Sequence, residues 1–330
     1  MKRRTLLAFA AGAALAPRCL LAQGASVPRI GYLLLTPVTE PPSRERQAFL
    51  DGLRSFGHVP GKTVELIYRS AEGEVEFMDA TCQDLLAQKP DVIAVSGALA
   101  ALAALAAKRA TRTIPIVMLG LGDPVGAGAV PSLARPGGNV TGVSFISSEL
   151  VPKRLQLVRQ CVPRARSMAV VWDRRNANSR AEWRAVLDGA KVAGLTAESF
   201  GLVSDDELPG AFGRIAAGKP DLLYVTFDGG IAAANRTLIA EFGLKQRLPI
   251  ESGWSFLTEA GGLLSYAPDI PAMFRCAAYY VDRVLKGASP AELPIEMPTV
   301  VELMVNLRTA RAIGVTVPNE LLARADRVFE

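Results

Sequence analysis

The sequence predicts an α/β protein of two doubly wound, parallel-sheet lobes joined by a hinge that the chain crosses more than once. Three observations predict it. Short β-branched runs alternate with longer segments of helical periodicity, the βαβ rhythm of open parallel sheets. Several of the strand runs are continuously apolar, as expected of strands covered by helices on both faces. The rhythm restarts after Arg135-Pro136-Gly137-Gly138-Asn139, so one series of units gives way to a second.

The elements follow in order. Strands are expected at 30–35, 64–68, 92–96, 116–119 and 140–145, then at 168–172, 196–200, 222–226 and 263–266. Helices are expected between them at 44–56, 75–88, 98–109, 149–161, 179–193, 206–216 and 231–245. The first helix shows Phe49, Leu50, Leu53 and Phe56 at helical spacing and stops at Gly57. The third is mostly alanine and ends in Lys108-Arg109, which reads as a buried helix. The segment 261–287 reads as a strand plus a helix that rejoins the first lobe. Pro290, Pro294 and Pro298 mark a further crossing, after which 299–330 returns to the second lobe. The expected lobes are thus 29–143 with about 255–293, and 144–254 with about 294–330. The first crossing is expected within 142–147.

The N-terminus carries Lys2, Arg3 and Arg4, then an uncharged apolar run of about a dozen residues, then small residues around Ala22–Ala25. This is the pattern of a cleaved secretory signal over residues 1–25, and it predicts a periplasmic protein. The apolar run is too short to span about 30 Å of hydrocarbon as a helix. Removing Lys2, Arg3, Arg4 and Arg18 with the leader takes the formal charge from +5 to +1. A near-neutral chain without a basic patch of interleaved aromatics predicts no nucleic-acid partner.

Of the four cysteines, Cys82, Cys161 and Cys276 lie outside the leader, far apart and in helical patterns. Buried small hydrophobes are expected, with neither a disulfide framework nor a metal site. The one histidine, His58, sits at a helix exit and reads as a solvated turn residue. No cofactor is expected, and no nucleophile–base pair or Gly-x-Ser-x-Gly elbow points to an enzyme.

In sheets of this kind, ligands bind beyond the carboxyl ends of the strands. Those ends nominate Thr36 after the first strand and Ser96, Gly97 and Ala98 after the third. The Ser96–Ala98 stretch enters a helix whose free N–H groups suit a carboxylate. Asp123 follows the fourth strand. Trp172, Asp173, Phe227 and Asp228 end strands of the second lobe, and Trp254 follows Ser252-Gly253. Asp228 is expected to accept hydrogen bonds from an ammonium or hydroxyls, and Trp172, Phe227 and Trp254 to offer stacking walls. Burial in a lobe core is the competing role for each of these aromatics, Phe227 above all.

Longer motifs carry a family resemblance. They include Ile30-Gly31-Tyr32, Phe49-Leu50-Asp51-Gly52-Leu53, Asp123-Pro124-Val125 and Ser132-Leu133-Ala134-Arg135-Pro136-Gly137-Gly138-Asn139-Val140-Thr141-Gly142. Gly261-Gly262-Leu263-Leu264-Ser265-Tyr266 and Tyr280-Val281-Asp282-Arg283-Val284-Leu285-Lys286-Gly287 extend them. Over about residues 29–330 the chain resembles the ABC-transporter substrate-binding proteins that include the tryptophan/tyrosine-binding lipoproteins. The resemblance implies a fold like that of type I periplasmic binding proteins, a hinged cleft and delivery of a small solute to a membrane permease. It does not transfer the ligand. The expectation is a monomeric, exported binder of a small organic solute, with an amino acid or related carboxylate foremost. A ligand sensor docking a membrane receptor is the alternative, and a secreted enzyme on the same scaffold a more distant one.

Overall fold

The first lobe is a five-stranded parallel sheet. The computed structural model describes residues 27–96, 100–120, 122–227 and 230–330. The expected leader, residues 1–25, lies outside them. The first-lobe strands are β1 (Arg29–Leu34), β2 (Glu65–Ser70), β3 (Val92–Ser96), β4 (Ile116–Leu119) and β5 (Val140–Val143). They lie in the order β2-β1-β3-β4-β5. β3, β4 and β5 are buried along their whole length, as strands of a parallel sheet covered on both faces are.

The second lobe holds β6 (Ser167–Asp173), β7 (Thr196–Leu202), β8 (Leu222–Val225), β9 (Ile250–Ser252), β10 (Leu264–Pro268), β11 (Val301–Asn306) and β12 (Arg327–Phe329). Their order is β12-β11-β10-β9-β8-β6-β7, parallel except where β11 runs antiparallel to β10. The α/β, two-lobed class read from the sequence is therefore the class observed. β9, β11 and β12 are additions to the expected strands.

Helices cover both faces of each sheet. On the first lobe, the helix Met78–Ala87 lies on one face. The helices Arg44–Ser55 and Ile270–Leu285 cover the other. The helix Arg44–Ser55 starts where the Ser43 hydroxyl accepts from the Arg46 N–H at 3.2 Å. The helix Ile270–Leu285 starts at Asp269, whose carboxylate accepts from the Ala272 N–H at 3.0 Å. The two helices touch closely at Gly52: a Cβ there would meet Ala278 Cβ and the Arg275 carbonyl oxygen, both at 2.8 Å.

The segment expected to rejoin the first lobe is divided by the structure. Its strand, β10, pairs with β9 and β11 in the second sheet, and only its helix packs on the first lobe. The crossing falls at Asp269 because the ladder on both sides of β10 fixes the strand, while the apolar face of the helix (Met273, Phe274, Ala277, Val281) complements Phe49 and Leu53.

Among the described residues the chain passes between the lobes three times: after β5, after β10 and before β11. The first and third passages run side by side. The Ser144 N–H donates to the Glu296 carbonyl at 2.8 Å, and the Glu296 N–H donates to the Gly142 carbonyl at 3.1 Å. Gly142 has φ +125, and a Cβ there would meet the backbone N and O of Met118 at 2.5 and 2.3 Å, so the end of β5, where the chain enters the hinge, requires glycine.

His58 departs from its expected role. Its Nε2 lies 2.9 Å from Asp282 Oδ1, its side chain is 14% exposed, and Lys286 holds the same carboxylate at 2.8 Å. It pins the exit of the helix Arg44–Ser55 to the helix Ile270–Leu285, a long-range contact that local turn chemistry does not reveal. Cys82, Cys161 and Cys276 are free thiols. Cys82 and Cys161 are buried and Cys276 half-buried. Burial pushes the thiols of Cys82 and Cys161 up, to about 11 and about 12.

Candidate functional site

A cleft of about 780 Å³ lies between the lobes at the carboxyl ends of the strands. From the first lobe it is lined by Tyr32 in β1, Thr36 just after it, Ser96 at the tip of β3, and Arg46. The helix Ile270–Leu285 adds Phe274, and the second lobe contributes Trp254, Phe256 and Arg236. Trp254 follows β9, and Phe256 lies in the short helix Ser255–Ala260.

The second-lobe wall is a stack of rings. Phe227 lies face to face with Trp254 at 4.0 Å, and Phe256 follows Trp254 at 4.7 Å. Phe145, just beyond β5, meets Phe227 edge-on at 4.8 Å. On the opposite side Tyr32 contacts Tyr68 at 5.3 Å and Phe49 at 5.7 Å. Phe227 and Trp254 belong to the same apolar cluster as Tyr32 and Phe274, so the lobes meet through their side chains. Burial raises the pKa of the Tyr32 phenol, and its hydrogen bond with Ser96 offsets part of the rise.

Two donors in this cleft are unpaired. Trp254 is 7% exposed and its Nε1 has no hydrogen-bond partner among the described residues. Arg46 is 5% exposed and its Nε is likewise unpaired. The Nη2 end of the Arg46 guanidinium is occupied. Its Nη2 donates to the Thr39 carbonyl and, at 3.1 Å, to Glu40 Oε1, and Cζ lies 5.5 Å from the centre of the Tyr68 ring.

The sequence-nominated residues separate into groups. Thr36, Ser96 and Trp254 line the cleft. Asp173 lines a neighbouring cavity of about 500 Å³ that shares Thr36 and Ala233 with it. There the Asp173 carboxylate accepts from the Arg175 backbone N–H at 2.8 Å and pairs with its guanidinium at 3.0 Å. Phe227 is buried behind Trp254. Trp172 faces the helix Ala177–Val192, stacked on Trp183 at 6.0 Å with its indole N–H donated to Ser199 Oγ at 2.9 Å. The Asp123 carboxylate closes its own turn, accepting from the N–H groups of Val125 and Gly126 at 3.1 and 2.9 Å. The Asp123 backbone N–H donates across the lobes to Asn178 Oδ1 at 2.9 Å. Gly97, Ala98 and Asp228 lie outside the described residues.

Arg46, Phe256 and Phe274 were not nominated by the strand ends. Arg46 does have a sequence signal: it falls at i, with Phe49, Leu50 and Leu53 at i+3, i+4 and i+7, so it places a charge on the apolar stripe of its helix.

Beneath the cleft wall lies a buried ionic cluster. Arg154 and Glu182 pair at 2.7 Å with both side chains fully buried. Glu182 also accepts from Tyr224 OH at 2.7 Å and, at 2.8 Å, from the Phe227 N–H. Arg154 reaches Ser147 Oγ at 2.8 Å and the Tyr266 carbonyl at 2.8 Å. Its guanidinium lies against Gly253, where a Cβ would meet Cζ at 3.0 Å. The cluster thus ties the tips of β8 and β9 to the first segment of the hinge. No group of three or more metal-ligating side chains occurs among the described residues.

The profile of the family described as "ABC transporter substrate binding protein" matches residues 36–329. The chain belongs to the ABC transporter substrate-binding protein family. This substrate-binding protein is 26% identical over 281 residues to the tyrosine-binding protein of Clostridioides difficile (strain R20291), covering 84% of this chain and 79% of that one. A Streptococcus pneumoniae domain solved in complex with L-Trp is 25% identical, with a TM-score of 0.82 over 92% of this chain and all of that one. The ligand-free, open structure of a substrate-binding protein with adhesive properties from Clostridium difficile is 24% identical, with a TM-score of 0.68 over 92% of this chain and 99% of that one. These relatives are solute-binding proteins, and the fold they share with this chain is the two-lobed one described above.

Proposed function

We propose that this protein captures a small organic solute of amino-acid type between its lobes and delivers it to the membrane permease of an ABC importer, as a monomer acting outside the cytoplasm. The observation that carries the reading is the inter-lobe cleft, walled by Tyr32, Trp254, Phe256 and Phe274. Its volume of about 780 Å³ suits a ligand of that size. Thr36, Ser96 and Trp254 are the nominated residues that support it from the cleft itself. The relatives named for tyrosine and solved with L-Trp make aromatic amino acids the first candidates, and the ring-lined wall fits them. Binding without turnover is the proposed role. The one histidine is committed to Asp282 on the outer helix layer, away from the cleft.

The test is a thermal-shift screen of amino acids, sugars and small carboxylates, followed by X-ray scattering. A ligand at about 100 times its dissociation constant adds about 2.7 kcal/mol to stability. A binder that stabilises the protein and lowers its radius of gyration supports capture by closure. A saturating binder that leaves the radius unchanged removes closure from the proposal.

A further inference from the structure

A buried donor without an acceptor is costly, and a buried guanidinium edge more so. This cleft holds one of each, on opposite lobes. Arg46 Nε belongs to the first lobe and Trp254 Nε1 to the second, and both residues line the same space. Arginine and indole nitrogens donate and never accept, so neither can be satisfied by the other. Of the four carboxylates that line the cleft, Glu45, Glu259, Asp269 and Glu302, two are engaged elsewhere. Glu259 pairs with Arg44 and Arg327, and Asp269 caps the helix Ile270–Leu285.

We infer that Arg46 and Trp254 together hold the carboxylate of the ligand, one donor from each lobe, so that the anionic group itself bridges the closed cleft. The inference rests on the proposed capture of a small solute and adds its required chemistry. A carboxylate has two oxygens and several lone pairs, enough to take one N–H from each side. The arginine hydrogen bond is charge-assisted on both partners, the indole one on the acceptor. Other features of Arg46 favour this use. Its Nη2 edge is fixed by the Thr39 carbonyl and Glu40, and its flat face lies over Tyr68. The unpaired Nε edge is therefore preset before any ligand arrives. Trp254 is held in the same way by its neighbours, stacked on Phe227 and tilted against Phe256. A ligand lacking an acceptor at this point would leave both donors buried and unpaired, which selects against amines and apolar solutes.

The experiment is calorimetry with matched acid and amide pairs: L-tryptophan, L-tyrosine, L-leucine and benzoate, each against its amide, with galactose as a neutral probe. At least one acid is expected to bind, and its amide to bind at least about tenfold more weakly, as loss of a charge-assisted hydrogen bond implies. Trp254→Phe keeps the ring stack and deletes the N–H. It is expected to weaken the acid by at least about tenfold and to narrow the gap between acid and amide. Arg46→Lys keeps the charge but removes the Nε–H edge, with the same expected direction. The melting temperature of each ligand-free variant checks that the fold survives. Unchanged acid affinity in a folded Trp254→Phe protein overturns the inference, as does an amide that binds as well as its acid. Silence from every acid also overturns it. If galactose nevertheless binds and closes the lobes in scattering, solute capture stands without the carboxylate.

Discussion

Arg44 on the first lobe and Glu259 on the second form an ion pair across the mouth of the cleft at 3.0 Å, and Arg327 holds the same carboxylate at 3.1 Å. The pair spans the two lobes, so under the proposed capture by closure it favours the closed form. The Arg44 side chain is 76% exposed, which limits its worth to that of a surface ion pair. Glu259→Gln is expected to lower the affinity for the captured solute by about two- to fivefold. The difference should vanish in about 1 M salt, where the Debye length falls to about 3 Å. Calorimetry at low and high salt checks both.

The Arg154–Glu182 pair has no such solvent screening. Glu182→Leu strands a buried guanidinium and also removes the acceptors of Tyr224 OH and the Phe227 N–H. A loss of about 3–5 kcal/mol in urea unfolding is expected. Adding Arg154→Met to Glu182→Leu should recover part of it, because no uncompensated charge remains. A double variant less stable than Glu182→Leu alone would contradict this account.

Glu251 gives the protein a pH dependence of known sign. Its side chain is fully buried and no oxygen of its carboxyl has a hydrogen-bond partner among the described residues. Burial raises its pKa well above the ordinary 4.5, and Arg154, at 3.9 Å, offsets only part of the rise. The folded protein therefore retains a proton that the unfolded chain releases. The stability tied to that proton is fully present below the ordinary value and is lost as pH rises through the raised one. Glu251→Gln keeps the neutral shape. Its stability relative to the natural protein is expected to improve as pH rises above the ordinary carboxyl value of 4.5. Equal pH profiles for the two would refute the assignment.

Gly142 makes a prediction for the hinge. Gly142→Ala forces a Cβ against the Met118 backbone at a φ that L-residues rarely adopt. It is expected to cost at least about 1–3 kcal/mol from the backbone conformation alone. Gly138→Ala, where a Cβ meets nothing and φ is ordinary, serves as the control in the same melting experiment.

The βα rhythm was legible because each unit is encoded locally, in apolar runs of strand length and in stripes of helical period. The sheet to which β10 belongs was not, because pairing with β9 and β11 depends on partners before and after it in the chain. β9 and β12 are three residues each, too short to carry a period. In the site, strand ends located Thr36, Ser96 and Trp254 because topology places such ends at the cleft. They could not say which way an aromatic at a strand end faces, since adjacent residues point to opposite sides. Trp172 thus lies over Gly201 of β7 while its neighbour Asp173 lines the inter-lobe space. Arg46 escaped because its importance comes from tertiary burial, visible in the sequence only as a charge out of place on an apolar stripe.

The helix Ile270–Leu285 also sets the order in which the molecule can be completed. It covers Ile30, Tyr32 and Val117 of a sheet whose strands are all laid down by residue 143. As the chain is made, that face of the sheet is covered only in part, by the helix Arg44–Ser55, until the residues near 285 have been added. The first lobe in sequence therefore cannot complete its core until most of the chain is available. A nascent chain stalled at residue 200 would remain sensitive to protease across the whole of its first lobe.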